Sequence, residues 1–323
     1  MKLRRALAAT TLLASGGAIA LAAPANADLV TRCVGEGGAV TVPGDLVVPA
    51  GKTCWLDGTT VEGNVRVQAG ADLIVTGGTL KGSVVVNENA YFDATDTTIT
   101  GPIRAKNAFG TYLDSSEVGG AVNASADEGS PYEGFIYVVG SEVAGKVQAS
   151  VPGEVLFDGA TIGGAVVTDG TRYTDIYDST LNKALTVTNN PDGAVFCESE
   201  IYGPASYSGN SYILQIGANG PVTTCEGASY WDKNLDISNN TATIVVSNNI
   251  IRGNLSGEGN DPAPTGENNR VRGTVSGQFV DLPAPAALRA SAPQDRAAEL
   301  AAKAAERRAD AQAEAEAAGD AKL

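Results

Sequence analysis

Two pairs of closely spaced carboxylates are the residues in this sequence best suited to acid–base chemistry. Asp93 and Asp96 form one pair, and Asp175 and Asp178 form the other. Glycoside hydrolysis uses two carboxyl groups around one bond, one as the acid and the other as base or nucleophile. Acidic residues are also common at turns, where their side chains accept backbone hydrogen bonds. Both roles are open to these four residues.

A second acidic set shares one position of an internal repeat but lies on turns that are not neighbours. Its members are Asp57, Asp114 and Asp158, and we expect them to form hydrogen bonds within their own turns. The chain has no histidine, which excludes imidazole catalysis and histidine-ligated metals. We therefore predict no catalytic residue, no cofactor and no metal site.

Five residues form a candidate ligand-binding set. Tyr132, Phe135, Tyr173 and Tyr212 fall at or near one corner of the repeat, and Asn210 supplies a carboxamide beside them. Aromatic faces with nearby carboxamides would suit a sugar ring. The alternative is that these side chains pack their own loops against the body of the protein.

An internal repeat, mostly of nineteen or twenty residues, must position these side chains. A glycine marks each repeat, and the slots are Gly44, Gly63, Gly82, Gly101, Gly120, Gly145, Gly164, Gly203, Gly253 and Gly277, with Lys183 and Lys233 in two more. Residues two before and two after each slot are almost all apolar, as Val61 and Val65 are around Gly63. A fixed period near twenty indicates a stacked array.

The alternation of apolar and polar residues from Val61 to Val67 has a period of two, which indicates a strand. A second short strand precedes each slot, and turn residues such as Asp57 and Gly58 follow it. Two or three short strands per turn predict an all-β parallel β-helix of about 12 rungs with a period of about 19 residues. A β-sandwich also has many short strands, but it does not keep an equal period through twelve slots.

The pattern resembles the right-handed parallel β-helices of secreted bacterial proteins, which include pectin-active enzymes and surface adhesins. The resemblance covers the repeat body and implies the right-handed fold. The pectin hydrolases carry a Gly-His-Gly segment, which this chain lacks. The lyases combine calcium-binding carboxylates with an arginine base. Arg66 and Arg104 point outward from predicted strands, but no acidic cluster occupies matching slots on adjacent turns.

Four cysteines predict two disulfides in an exported chain. The repeat register places Cys33 beside Cys54 and Cys197 beside Cys225 on neighbouring turns. Stacked strands lie about 4.8 Å apart, which suits the Cα separation of a disulfide. The alternative, a zinc site, lacks the close cysteine pairs of zinc motifs.

The chain divides into five predicted segments. Residues 1–27 have the basic start, apolar run and small-residue cleavage site of a secretory signal peptide, with a membrane anchor as the alternative. Residues 28–41 are predicted to form an N-terminal cap, 42–280 the β-helix and 281–294 a Pro/Ala-rich linker. Residues 295–323 are predicted to be a charged, alanine-rich helix or a disordered tail. Because Leu300 is its only large apolar residue before the terminal Leu323, we expect this tail to stand free, with partner binding as the alternative.

Three gaps between slots exceed the basic period, and we assign the extra residues to 127–134, 208–221 and 257–268. All three are predicted to lie at one corner of the repeat. Insertions in solenoids often line a binding face, but an external turn also tolerates extra length at little entropic cost.

The net charge and the predicted export exclude some classes of function. The net charge is −15, so the body would be repelled by nucleic acid and by anionic lipid. We predict a non-catalytic secreted protein that presents a rigid surface to carbohydrate, cell-envelope material or protein. It has no predicted membrane span after the leader, and its oligomeric state is open. The alternative is a polysaccharide-degrading enzyme of the β-helix type.

Overall fold

The structure is a computed structural model that describes residues 30–218, 220–285 and 296–323. The predicted signal peptide (1–27) and most of the predicted linker lie outside the described residues. The described chain forms a parallel β-solenoid of about 13 turns with a period of about 19 residues and a single C-terminal helix. The predicted parallel β-helix is therefore confirmed.

Three parallel sheets run the length of the solenoid. Sheet A contains Val30–Arg32, Asp45–Val48, Val65–Val67, Val84–Val86, Ile103–Lys106, Val122–Ser125, Val147–Ser150, Val166–Asp169, Leu185–Thr188, Ala205–Ser208, Leu235–Ser238 and Leu255–Ser256. Sheet B contains Gly35–Gly37, Thr53–Asp57, Asp72–Thr76, Tyr91–Thr95, Gly110–Asp114, Ile136–Val139, Val155–Asp158, Thr174–Tyr177, Ala194–Cys197, Ile213–Gly217 and Thr243–Ser247. Sheet C contains Thr41–Val42, Thr60–Val61, Thr79–Leu80, Thr98–Ile99, Glu117–Val118, Glu142–Val143, Thr161–Ile162, Thr180–Leu181, Glu200–Ile201, Ser229–Trp231, Asn249–Ile251 and Arg270–Val271.

The repeated glycine lies at the corner between sheets C and A, where successive backbones come very close. A Cβ placed on Gly82 would lie 2.4 Å from the carbonyl oxygen of Gly63 on the preceding turn. On either side of the corner, Val61 pairs with Leu80 and Val65 pairs with Val84, and all four side chains are buried. Stacking thus converts one apolar position per repeat into a continuous core that a single turn could not bury.

The register of the last turn differs from the sequence prediction. Ile251 pairs with Val271, and Gly273 stacks on Gly253, so the final slot is Gly273 and not Gly277. Gly277 instead begins a short 3-10 helix, Gly277–Phe279. The period is therefore unbroken here, and the insertion predicted over 257–268 is wrong.

The two real insertions lie at different corners. Residues 126–135 connect sheet A to sheet B, as predicted for the insertion at 127–134. The second insertion is 218–228, between sheets B and C, because Ile213–Gly217 is a regular strand. The single insertion corner predicted from the sequence is therefore wrong, since residue counting between slots does not show which of three turns carries the extra chain.

Both predicted disulfides are present between neighbouring turns. Cys33 is bonded to Cys54 with a Cα separation of 5.5 Å, and Cys197 to Cys225 with a separation of 5.7 Å. The second bridge ties the 218–228 insertion to sheet B.

The C-terminal helix, α1 (Arg296–Ala318), packs along the outside of the β-helix and does not stand free. Arg296 contacts the turn of Asp175, and Glu314 accepts a hydrogen bond from Thr53 near the other end. A helix of 23 residues is about 35 Å long, which matches about 34 Å for seven steps of a stacked sheet. The prediction of a free tail is wrong because the helix docks through charged side chains, which an analysis of apolar residues does not register.

The end of the chain closes the first turn of the solenoid. Val30–Arg32 and Gly35–Gly37 are already strands of sheets A and B, so the residues predicted as a separate cap form the first turn. Asp320 pairs with Glu36 as a parallel bridge, and Leu323 packs against the core. An unpaired sheet edge invites association with other chains, and this one is covered by the C-terminus.

Candidate functional site

The outer face of sheet B carries two columns of aromatic, apolar and acidic side chains. The first column runs Asp72, Tyr91, Gly110, Phe135, Glu154, Tyr173, and the second runs Trp55, Ile74, Asp93, Tyr112, Tyr137, Leu156, Asp175. Nearly all of these side chains are buried, although they point away from the core. The cover is α1, and we call the surface beneath the helix the sheet B groove.

Aromatic rings pack tightly along the groove. Phe135 and Tyr137 are stacked with ring centroids 4.1 Å apart, and Tyr112 meets Tyr137 edge-on at 6.2 Å. Gly110 makes room for this cluster, because a Cβ there would lie 2.2 Å from the ring of Phe135. A glycine in a strand is typical of such a close approach.

Four basic residues of α1 pair with carboxylates in the groove. Arg308 donates two hydrogen bonds to Asp93, at 2.9 and 3.0 Å. Arg307 lies 2.8 Å from Asp72, and Arg296 lies 3.5 Å from Asp175.

Lys303 contacts two carboxylates, those of Glu133 and Glu154, with 3.3 Å to the second. Glu154 also accepts a hydrogen bond from Tyr137 at 3.1 Å and lies 3.4 Å from Arg172. Glu154 is buried, and its two oxygens are shared among three donors. Such saturation favours a structural carboxylate over a catalytic base.

Each of the four basic groups also lies over an aromatic ring. Arg296 is 4.4 Å from the ring centroid of Tyr173, Lys303 is 5.5 Å from Phe135, Arg307 is 4.8 Å from Phe109, and Arg308 is 4.8 Å from Tyr112. A cation over an aromatic face contributes from about 0.5 to about 2 kcal/mol, with the larger values where water is excluded. The groove thus offers four cation sites, each made of a ring and at least one carboxylate.

Burial dominates the ionisation of the groove carboxylates. Desolvation raises the pKa of Asp175 to about 6, although the neighbouring Arg296 opposes the shift. Desolvation also raises the pKa of Asp93 and that of Asp72 above the usual value, against the opposing effects of Arg308 and Arg307.

A pocket of about 410 Å³ opens at the first turns of α1. Its walls come from four neighbouring turns of the β-helix and from the helix, and its lining residues are Glu154, Arg172, Tyr173, Asp192, Tyr212, Arg296, Glu299, Leu300 and Lys303. Tyr212 is 57% exposed, whereas Tyr173 is 5% exposed. Tyr212 therefore presents a free ring at a site whose floor carries ion-paired, hydrogen-bonding groups.

The structure brings only two of the five predicted ligand-binding residues into this pocket, namely Tyr173 and Tyr212. Phe135 is buried under Lys303 in the groove. Tyr132 is half-buried on the 126–135 insertion and does not line the pocket.

Asn210 lies inside the β-helix in a ladder of buried asparagines. Its Oδ1 accepts from the backbone N–H of Asn190 at 3.0 Å, and its own N–H donates to Asn240 Oδ1 at 3.0 Å. Asn240 continues the ladder to Asn260. The ladder satisfies backbone groups at the corner between sheets A and B. The sequence of a single repeat does not indicate it.

The carboxylate pairs considered for acid–base chemistry are split by the fold. Asp93 and Asp175 lie in the groove beneath α1. Asp96 and Asp178 lie at the turns that follow, with φ of 49° and 45°, in the left-handed region where aspartate is tolerated. Asp57, Asp114 and Asp158 do share one register position, as predicted, with Thr76, Thr95 and Val139 between them.

Comparison with known proteins adds no relative, since no family model, curated protein or solved structure matches the chain. Within the described residues there is no cluster of three or more acidic or cysteine side chains placed to hold a metal ion. No helix of the described segments has the length and apolar character needed to span a membrane.

Proposed function

We propose that the protein is a non-catalytic, secreted binding protein whose rigid β-helix presents the pocket at the start of α1 to carbohydrate. The observation that carries the proposal is the exposed ring of Tyr212 beside Arg172 and Asp192 in this pocket. Carbohydrate sites combine an aromatic face for the sugar ring with charged or amide groups for its hydroxyls. Ligands usually bind in pockets where a small number of polar groups converge.

Rigidity of the surrounding walls supports binding. Arg172 donates to Asp192 at 2.9 Å and contacts Glu154 at 3.4 Å, so three pocket side chains are fixed to one another across successive turns. Groups held in place lose little conformational freedom when a ligand arrives, which favours affinity.

Export is part of the proposal and is supported by two disulfides, because such bonds persist in oxidising compartments. The predicted signal peptide agrees with this location.

A degradative enzyme is the second candidate, and one observation favours it. Glu154 and Asp192 both line the pocket, and glycosidases need two carboxyl groups around the scissile bond. The sharing of Glu154 among Arg172, Lys303 and Tyr137 argues against it, because each of these donors stabilises a fixed carboxylate.

A glycan array followed by titration calorimetry tests the proposal. The Tyr212→Ala variant should lose binding of the strongest array ligand by at least about tenfold, which corresponds to about 1.4 kcal/mol. Tyr202→Ala is the matched control, since Tyr202 is 43% exposed on another sheet. Equal binding by both variants would contradict the proposed site. Release of new sugar ends that is lost in Glu154→Gln or Asp192→Asn would establish the enzyme instead.

A further inference from the structure

The charged residues of α1 are sorted by sign around the helix. Its four basic residues, Arg296, Lys303, Arg307 and Arg308, are buried or half-buried against sheet B. Its five acidic residues, Glu299, Glu306, Asp310, Glu314 and Glu316, are all exposed, although Glu314 also reaches sheet B and accepts a hydrogen bond from Thr53. The helix therefore has a basic stripe that matches the acidic groove, and most of its acidic residues lie outside that stripe. This complementarity specifies one orientation of one kind of helix.

The apolar contribution to docking is small. Apart from Arg296, the buried residues of the helix are Leu300, Ala304, Ala311 and Ala315. Alanine removes little apolar surface from water, so the hydrophobic contribution falls well below that of a leucine-rich helix of this length. The carboxylates of Asp72, Asp93, Glu154 and Asp175 beneath it are buried, and the desolvation of buried charges offsets much of their attraction to the helix.

The interface also leaves polar groups unsatisfied. The indole N–H of Trp55 and the Nε of Arg307 are buried without a hydrogen-bond partner in the described part of the chain. A buried donor without a partner lowers the stability of the interface. Charge thus makes the docking of α1 specific, but its net contribution to stability is modest. A helix held in this way can leave the groove and be replaced by another.

We infer that the sheet B groove is a binding site for alanine-rich helices bearing arginine and lysine, that α1 is its intramolecular occupant, and that α1 of a second copy of this chain can take its place. All four cation sites belong to the sheet or to its edges, so they accept the same side chains from either copy. The segment 281–294 that connects the two parts is rich in proline and alanine, as in linkers. Exchange of an identical element between copies is a low-cost route to dimers.

Two full-length variants with reversed charges test the inference. The helix variant carries Arg307→Asp and Arg308→Asp, and the groove variant carries Asp72→Arg and Asp93→Arg. In each variant the helix meets like charge in its own groove, but each helix is complementary to the groove of the other variant. We expect both variants to be monomers with unprotected α1 amides in hydrogen exchange. Mixed in equal amounts, they should form a heterodimer by light scattering.

A chain that carries all four substitutions is the control, because it restores complementarity within one molecule and should stay monomeric. The inference is overturned if the two variants fold but remain monomers when mixed. It is also overturned if α1 stays protected in both variants, since the four cation sites would then not hold it.

A peptide experiment covers the case in which the groove variant does not fold. Here a fluorescent peptide of residues 295–323 is titrated into the helix variant, whose groove is unaltered. The native peptide should bind at least about tenfold more tightly than one with Arg307→Asp and Arg308→Asp, because the variant peptide places like charge beside Asp72 and Asp93. Equal affinity of the two peptides would contradict the inference.

Discussion

Glu36, in the first turn of the β-helix, and Asp320, three residues before the last position, are paired as neighbours in a parallel β-bridge. The N–H of Glu36 donates to the carbonyl of Gly319 at 2.9 Å, and the N–H of Ala321 donates back to the carbonyl of Glu36. The last residues of the chain thereby cover the open edge of sheet B.

Removal of the terminal side chain should open this edge. Leu323 packs against Leu56 and over Gly37, where an added Cβ would lie 2.3 Å from the leucine side chain. We expect Leu323→Ala to lower the free energy of unfolding by about 1–2 kcal/mol, since Leu323 is only partly buried. Deletion of 319–323 should also cause self-association, measured by light scattering. Val280→Ala is the control because Val280 is 59% exposed, and an equal loss in both variants would contradict the capping role.

Loss of one groove ion pair should release the helix more than it unfolds the body. Arg308→Met leaves Asp93 buried and unpaired while α1 stays docked. Removal of one partner of a buried pair costs about 3–5 kcal/mol, and undocking relieves that cost by returning Asp93 to water. Hydrogen exchange should therefore show faster exchange of α1 amides, with sheet A amides little changed.

The matched control for this change is Glu306→Ala, on the exposed side of the same helix. The double variant Arg308→Met with Asp93→Leu should recover most of the protection, because no unpaired charge is left. Equal protection of α1 in Arg308→Met and Glu306→Ala would show that the pair does not hold the helix.

Protonation of Asp175 in mild acid should add to the stability of the folded protein against unfolding. Burial raises the pKa of Asp175 to about 6, above about 3.9 for an exposed aspartate. A carboxyl with a raised pKa in the folded protein contributes stability that is complete below about pH 4 and is lost as the pH rises through about 6. A shift of two pKa units corresponds to at most about 3 kcal/mol.

The measurement is the free energy of unfolding in urea between about pH 7.5 and about pH 5. It should change toward greater stability at the lower pH by more in the native protein than in Asp175→Asn. The pKa values of Asp72 and Asp93 are shifted in the same direction, so both proteins keep that part of the pH dependence. A larger gain at pH 5 in Asp175→Asn than in the native protein would contradict this sign.

Loss of the asparagine ladder should lower the free energy of unfolding and leave the pocket unchanged. Asn210→Ala removes the acceptor of the Asn190 N–H and the donor to the Val187 carbonyl. Each buried group left unsatisfied costs about 1–3 kcal/mol, so the two groups together predict a loss of about 2–6 kcal/mol in the free energy of unfolding, measured in urea. Asn182→Ala, at an exposed asparagine, should be nearly neutral. Unchanged stability in Asn210→Ala would contradict the ladder.

The sequence predicted the β-helix and the disulfide pairing because both follow from one period. Once Cys54 is placed one turn after Cys33, the distance between them is set by the spacing of stacked strands. The last slot was misplaced because Gly277 fits the pattern of residue types, while hydrogen bonding between Ile251 and Val271 fixes the register. A local pattern cannot distinguish two glycines four residues apart.

The groove was missed, although the sequence contains a signal for it. In sheet B, Tyr91 and Asp93 face outward while Phe92 and Ala94 face the core, so the strand shows no alternation of apolar and polar residues. Strands without alternation are buried on both faces, which requires a cover. The helix that supplies this cover is far away in the sequence, since Arg308 and Asp93 are 215 positions apart. No local propensity links them.

The most direct test of the proposed carbohydrate site is a hydrogen-exchange footprint of the strongest array ligand on the native protein, with the ligand analysed afterwards by mass spectrometry. We expect added protection around Tyr173, around Tyr212 and in the first turns of α1, with the ligand recovered intact. Protection confined to sheet A or sheet C, or a ligand recovered in cleaved form, would contradict it.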